Sequence, residues 1–271
     1  MRTISFFIIC LAVLCFAAPG PAQAQEWNFH IVDDVGSAGV YSQIAVTSDG
    51  TPYILYEDTD ANKILLAWWV PTGGNGGGWE KMEIGSSYFV ANCDILADSN
   101  DYLHLAWENG SSVRYGVYDP GTQTWIIPEE QASSTYGNMH LAIVEKSDTT
   151  TVYIVYVARY SPYYLRLATR DPVSGSWSTE LIHGESCYQT IPSIAADSQG
   201  HLHVSFRETG SGSLMYATNA NDSTTWVAEY VELGTDLGQY SSIVLDEFDR
   251  PYIIYYDGPN GDLKYARLIS D

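Results

Sequence analysis

The sequence predicts an all-β protein, a five-bladed β-propeller with four-stranded antiparallel blades. Two observations carry this prediction. A strand–turn–strand pattern recurs about every 50 residues, five times along the chain. Each copy is followed by further strands, and the strand missing from the last copy is found near the start of the chain. A ring of blades that is closed by a strand from the other terminus has this signature.

The recurring unit is a hairpin, an apolar strand and an aromatic-rich second strand joined by a polar turn. Its copies run from Ser42 to Tyr56, Cys93 to Trp107, His140 to Tyr156, Pro192 to Phe206 and Ser241 to Tyr256. One position in the second strand holds Tyr53, His104, Tyr153, His203 and Tyr252. Because tyrosine and histidine alternate there, we interpret the histidines as scaffold and not as metal ligands. The turn residues Asp98, Asp197 and Asp246 are expected to form turn hydrogen bonds.

Two more strands follow each hairpin. The third strands begin at Lys63, Ser112, Tyr163, Ser213 and Asp262, and the fourth strands open with Trp79, Trp125, Trp177 and Trp226. The fifth unit lacks a fourth strand, and EWNFHIV, with Trp27, is expected to supply it and to close the ring. Residues 25–271 are therefore predicted to form one propeller domain. Two sandwich domains are the weaker alternative, since they do not explain the borrowed strand.

The N-terminal 24 residues read as a secretory signal peptide. A basic start is followed by an apolar run from Ile4 to Ala18 and by a small-residue cleavage motif, so cleavage near Ala24 and a secreted or periplasmic protein are expected. No membrane span is predicted. The net charge of -21 makes nucleic acid a poor partner. In an oxidising compartment Cys93 and Cys187 could form one disulfide or remain buried thiols.

Two copies of the unit resemble a known repeat. The pattern P-S-I-A-x-D-S-x-G-x-x-H-V-S-F followed by L-x-Y-A stands at Pro192 to Phe206 with Leu214, Tyr216 and Ala217. It stands again at Ser242 to Tyr255 with Leu263, Tyr265 and Ala266. It resembles the BNR-like repeats of secreted bacterial propellers grouped with the sialidase superfamily. The resemblance implies the fold and not an activity. The Arg-Ile-Pro motif and the Asp-boxes of true sialidases are not present, whereas an arabinanase-type glycosidase with five blades stays open.

A candidate site follows from propeller geometry, because the innermost strands begin on the face where the second strands end. Polar residues stand at the strand starts, and a tyrosine lies close to each of them. Such rings suit stacking on sugar faces. The predicted ligand-binding residues are Tyr41, Gln43, Tyr88, Asp94, Tyr136, His140, Tyr188 and Tyr240.

The leading hypothesis is a secreted recognition module that binds carbohydrate at the channel mouth and has no catalytic residues. The alternative is a glycoside hydrolase in which Asp94, Glu108 and Glu208 divide the acid, base and tuning roles. A third is a protein-interaction scaffold. A glycan or another extracellular protein is the expected partner. No metal or cofactor is predicted, since the stretch Asp58 to Asn62 lacks the glycine and the distal glutamate of a calcium loop.

Overall fold

The structure is a computed structural model, and it describes residues 28–72, 76–87, 92–134, 137–146, 149–158, 160–188, 190–221 and 225–269. The predicted signal peptide, Trp27, Tyr88 and Tyr136 lie outside these residues. The chain divides into two units, Met1–Ile31 and Val32–Asp271. Residues 28–31 of the first unit have no regular secondary structure. The described part of the second unit holds nineteen strands and no helix, and therefore no helix that could cross a membrane.

Four blades are four-stranded antiparallel sheets whose strands follow one another in chain order. Blade 1 holds β1 (Ala38–Val46), β2 (Pro52–Asp58), β3 (Lys63–Thr72) and β4 (Gly76–Ser86). Blade 2 holds β5 (Cys93–Ala97), β6 (Leu103–Glu108), β7 (Val113–Asp119) and β8 (Thr124–Ser133). Blade 3 holds β9 (Met139–Lys146), β10 (Thr149–Val157), β11 (Leu165–Arg170) and β12 (Trp177–His183). Blade 4 holds β13 (Ser193–Ala196), β14 (Leu202–Glu208), β15 (Ser213–Thr218) and β16 (Val227–Glu232).

Blade 5 has three strands within the described residues: β17 (Leu237–Leu245), β18 (Pro251–Asp257) and β19 (Asp262–Arg267). The all-β class and the four-stranded antiparallel units predicted from the repeat are confirmed. The described residues of EWNFHIV, 28–32, form no strand. Closure of the ring by this segment therefore stays a prediction.

The blades pack through their first strands. β1 contacts β5, β5 contacts β9, β9 contacts β13 and β13 contacts β17. One apolar position of these strands is covered in the middle of the series: Ile95 is 2% exposed and Leu141 is 1% exposed. The equivalent Ile44 of blade 1 is 60% exposed, and Val244, on the other side of β17, is also 60% exposed. The two outer faces of the series thus carry uncovered apolar side chains.

The turns inside the hairpins are built around their acidic residues. Oδ1 of Asp98 accepts the backbone N–H groups of Asn100 and Tyr102, and Asp197 and Asp246 accept equivalent bonds. The expected role of these aspartates in turn hydrogen bonding is confirmed. The last turn residue is left-handed, and Asp101 and Asp249 hold that conformation with φ of 65° and 61°.

These turns also connect neighbouring blades. The backbone N–H and hydroxyl of Ser48 donate to the carboxylate of Asp101 at 2.6 Å and 2.5 Å. Ser198 of blade 4 donates in the same way to Asp249 of blade 5, at 2.9 Å and 2.5 Å. Ser99 of blade 2 donates to Glu145 of blade 3. A serine in one turn therefore bonds a carboxylate in the next blade at three junctions, whereas between blades 3 and 4 the Nζ of Lys146 donates to the backbone carbonyl of Gln199 at 2.9 Å.

The two repeat histidines lie inside their blades. His104 Nδ1 is 2.6 Å from the hydroxyl of Tyr115, and His203 Nδ1 is 2.6 Å from the hydroxyl of Tyr216. Both histidines are buried, and burial lowers the pKa of His203 although Asp197 acts against this shift. These contacts agree with the interpretation of the histidines as scaffold. Cys93 and Cys187 are buried thiols that are not bridged.

Candidate functional site

Two tyrosines at one end of the propeller share an unusual backbone conformation. Tyr41 and Tyr240 have positive φ angles of 52° and 54°. Each follows a left-handed glycine by two residues, Gly39 in β1 and Gly238 in β17. The pairing of each strand with its neighbour shifts register twice here, within residues 38–43 and within residues 237–242. Such bulges redirect side chains, and a left-handed tyrosine stores strain of about 1–2 kcal/mol.

The two bulges bring these tyrosines to one cavity of about 370 Å³, the mouth cavity. Its lining residues come from blades 1, 4 and 5 and from the segment before β9: Tyr41, Asn138, Ile191, Arg207, Gln239 and Tyr240. Tyr41 is 40% exposed and Tyr240 is 70% exposed, so both rings are accessible. Of the predicted ligand-binding residues, these two are therefore brought together. The volume lies within the ~300–1,000 Å³ range of small-molecule sites.

Arg207 is the cationic group of this cavity. Its Nη2 lies 3.0 Å from Oδ1 of Asp236, and the amide of Gln239 donates to the same oxygen at 2.7 Å. The Nε of Arg207 is buried and has no hydrogen-bond partner among the described residues. Buried donors are normally paired, so the guanidinium of Arg207 is incompletely satisfied in this structure. The sequence predictions missed Arg207, Asn138 and Gln239, although Gln239 directly precedes a predicted tyrosine.

Asp94 and His140 connect blades. Oδ2 of Asp94, at the start of β5, accepts the backbone N–H of Leu141 in β9 at 2.7 Å. His140 in turn accepts the N–H of Ile194 in β13 at 3.3 Å through Nδ1. Asp94 is 4% exposed, and burial raises the pKa of its carboxyl against the opposing effect of His140. Both predicted binding residues are thus held in links between first strands and do not line the mouth cavity.

The remaining predicted binding residues lie elsewhere. Gln43 is exposed on β1 and does not line the cavity. The ring of Tyr188 is 44% exposed and packs on Tyr163, with the ring centroids 4.7 Å apart. Tyr188 therefore belongs to an aromatic pair at the loop that precedes β11.

The two glutamates of the hydrolase alternative are buried at the ends of second strands. Oε2 of Glu108 accepts the N–H of Asn92, and Oε1 of Glu208 lies 3.0 Å from Nε2 of His183. Burial raises the pKa of Glu208, but hydrogen bonds from Ser211 and His183 outweigh this effect and leave the pKa lowered. A lowered pKa opposes the general-acid role, which needs a carboxyl that stays protonated near neutral pH.

The contacts of these carboxylates also separate them. Glu208 bonds to His183 and Tyr230, which belong to fourth strands, whereas Asp94 bonds to a first strand. Fourth strands form the outer edge of a blade. The contacts thus place the Glu208 carboxylate towards that edge and the Asp94 carboxylate among the first strands. Within the described ranges, no group of three or more His, Cys, Asp or Glu side chains could hold a metal ion.

Comparisons with known proteins identify the fold. No protein-family model matches the chain, and no curated protein matches it. Solved structures do match. The SapL1 lectin, in complex with alpha methyl fucoside, is 11% identical with a TM-score of 0.54, and the alignment covers 85% of this chain and 81% of the lectin. The Hadza microbial sialidase Hz136 is 12% identical with a TM-score of 0.52, over 85% of this chain and 52% of the sialidase.

The GH43_1 enzyme from Xanthomonas citri complexed with xylotriose is 13% identical with a TM-score of 0.45, over 86% of this chain and 87% of the enzyme. At such identities a likeness shows the fold alone. The likeness to the lectin and the sialidase supports a β-propeller fold, which agrees with the five sheets that pack through their first strands.

Proposed function

We propose that this protein is a secreted recognition module that binds carbohydrate in the cavity between Tyr41 and Tyr240. The observation that carries the proposal is the repeated bulge. Two tyrosines 199 positions apart in sequence (240 minus 41) adopt the same left-handed conformation and line the same cavity. Strain of this kind is kept in proteins where the surroundings enforce it, and it concentrates at ligand sites. Arg207, which lines the same cavity, adds a cationic side chain that can donate to a sugar oxygen.

The stacking role of Tyr240 can be tested by calorimetry with sugars that first score on a glycan array. Covering one face of an exposed ring is worth about half of a full side-chain burial, about 1–1.5 kcal/mol. Tyr240→Ala is therefore expected to weaken binding about tenfold. Phe248→Ala is the matched control, since Phe248 is 67% exposed in the hairpin turn at the other end of the same blade. Equal losses in both variants, or none in Tyr240→Ala, would refute the proposal.

Hydrolysis is the competing function. The burial of Asp94, Glu108 and Glu208 and the lowered pKa of Glu208 favour binding without cleavage. Reducing-sugar release from polysaccharides measures this directly. If wild-type protein releases sugar and Glu108→Gln does not, the protein is a glycosidase and the proposal of a recognition module is refuted. A protein that neither binds sugars nor releases them would be left as an interaction scaffold.

Ring closure and export complete the proposal. Within the described residues, β19 pairs with β18 along one edge and with no strand along the other. The exposed Ile44 and Val244 leave apolar faces uncovered at both ends of the series. We propose that EWNFHIV adds the fourth strand of blade 5 and that the ring then covers both faces. Export predicts a mature chain that begins near Gln25. Mass spectrometry of protein recovered from the medium or periplasm of an expressing bacterium measures that start.

A further inference from the structure

A second cavity, of about 340 Å³, lies between blades 2 and 3 and shares no lining residue with the mouth cavity. Its wall includes one cation, Arg166, together with aromatic and hydroxyl side chains. These are Ser134, Tyr156, Tyr160, Tyr164 and Thr179. Tyr156 is buried, whereas Tyr160 is 64% exposed. The cavity therefore has an aromatic floor and an accessible aromatic rim.

The sheet register places Arg166 on the face that turns towards blade 2. Arg166 of β11 is paired with Tyr156 of β10, so both side chains lie on the same face. Arg170 lies four residues further along β11 and therefore shares this face. Its guanidinium bonds to both carboxylate oxygens of Glu130 on β8, at 2.9 Å and 3.1 Å. Ser134 of blade 2, four residues after Glu130, lines the same cavity as Arg166.

Cations at the equivalent position of other blades have carboxylate partners. Arg114 of β7 lies 3.3 Å from Glu129, and Lys264 of β19 is paired with Glu232. The side chain of Arg166 has no ion pair or hydrogen bond to any residue that the structure describes. In a chain with 33 acidic and 12 basic residues, a half-buried arginine without an acidic partner stands out. An arginine fork fits a carboxylate with two parallel hydrogen bonds.

We infer that the cavity between blades 2 and 3 binds a sugar ring that bears a carboxylate. Arg166 binds the carboxylate of the ligand, in the way that Arg170 binds the carboxylate of Glu130. The tyrosines pack on the ring, and the hydroxyls of Ser134 and Thr179 bond to its oxygens. This site is independent of the proposed mouth site, because the two cavities have no residue in common.

Three probes test this inference by calorimetry: methyl α-galacturonide, its carboxyl methyl ester and N-acetylneuraminate. Hydrogen bonds to a charged group predict that wild-type protein binds at least one of the two acids about tenfold or more tighter than the neutral ester. Arg166→Met keeps the apolar stem and removes the charge, so it is expected to lose this preference. Arg166→Lys keeps the charge without the fork and is expected to be intermediate.

Arg250→Met is the matched control. It removes one positive charge from a hairpin turn of blade 5, so it tests the effect of net charge alone and is expected to bind like wild type. Folding of each variant is checked by its thermal transition. Failure of both acids to bind, equal affinity for acid and ester, or an unchanged preference in a folded Arg166→Met protein would overturn the inference. Tyr240→Ala separates the two sites, since it is expected to affect the mouth and leave binding of the acids intact.

Discussion

The left-handed backbone of Tyr240 predicts which of two variants, Tyr240→Gly or Tyr240→Ala, is the more stable. At a position with ordinary φ, glycine is less stable than alanine because it loses more chain entropy on folding. At a left-handed position alanine is strained and glycine is not. Tyr240→Gly is therefore expected to be more stable than Tyr240→Ala, the reverse of the usual order.

The magnitude follows from exposure and backbone conformation. Tyr240 is 70% exposed, so either variant loses roughly 60 Å² of buried ring surface, about 1.5 kcal/mol. Alanine keeps a left-handed strain of about 1–2 kcal/mol, whereas glycine loses about 0.5–1 kcal/mol through chain entropy. The glycine variant should therefore be the more stable of the two by about 0.5–1 kcal/mol.

Urea unfolding of both variants measures the difference, and thermal midpoints should differ by about 1–4 °C. Ser242 gives the matched control, because it is exposed on the same strand without a positive φ. Ser242→Gly should be less stable than Ser242→Ala by about 0.5–1 kcal/mol. If alanine is also the more stable residue at 240, the left-handed strain, and with it the argument for a built site, is wrong.

Further predictions concern the links between blades, the repeat histidine and the proposed closing strand. Asp94→Ala leaves the buried N–H groups of Ile95 and Leu141 without their acceptor and should lower the free energy of unfolding by about 2–4 kcal/mol in urea titrations; a loss below 1 kcal/mol would contradict this. His203 has a lowered pKa in the folded protein, so the unfolded chain binds the extra proton and stability falls as pH drops below about 6.5. In His203→Tyr the stability should depend less steeply on pH between about 6.5 and 5, and an unchanged slope would contradict this assignment. Deletion of residues 25–32 should lower the melting temperature if that segment closes the ring. A deletion variant that melts at the same temperature as the full-length protein would refute closure by this segment.

The repeat made the architecture predictable, because each hairpin carries the same alternation and the same turn chemistry. The face of the site was also predictable, and Tyr41 and Tyr240 do meet there. The bulges were not predicted, although Gly-x-Tyr-Ser occurs in both strands and could have signalled them.

The role of Asp94 depends on a backbone N–H in the neighbouring blade, 47 residues away. The cavity that Arg166 lines depends on Ser134, which belongs to the neighbouring blade. Contacts across two blades are set by packing and register, which a pattern within one repeat does not encode.

The serine–carboxylate bonds between turns have a consequence for how such a chain can grow. A turn such as Asp98 to Asp101 donates to the next blade through Ser99 and accepts from the previous one through Asp101. The contact is head-to-tail, so a blade that has both groups, as blade 2 does, would carry both halves of its own joint if it were duplicated. Blades 1 and 4 have Gly50 and Gly200 at the accepting position, and blade 5 has Glu247 at the donating one. Duplication of a blade that has both groups can therefore lengthen the series without designing a new interface.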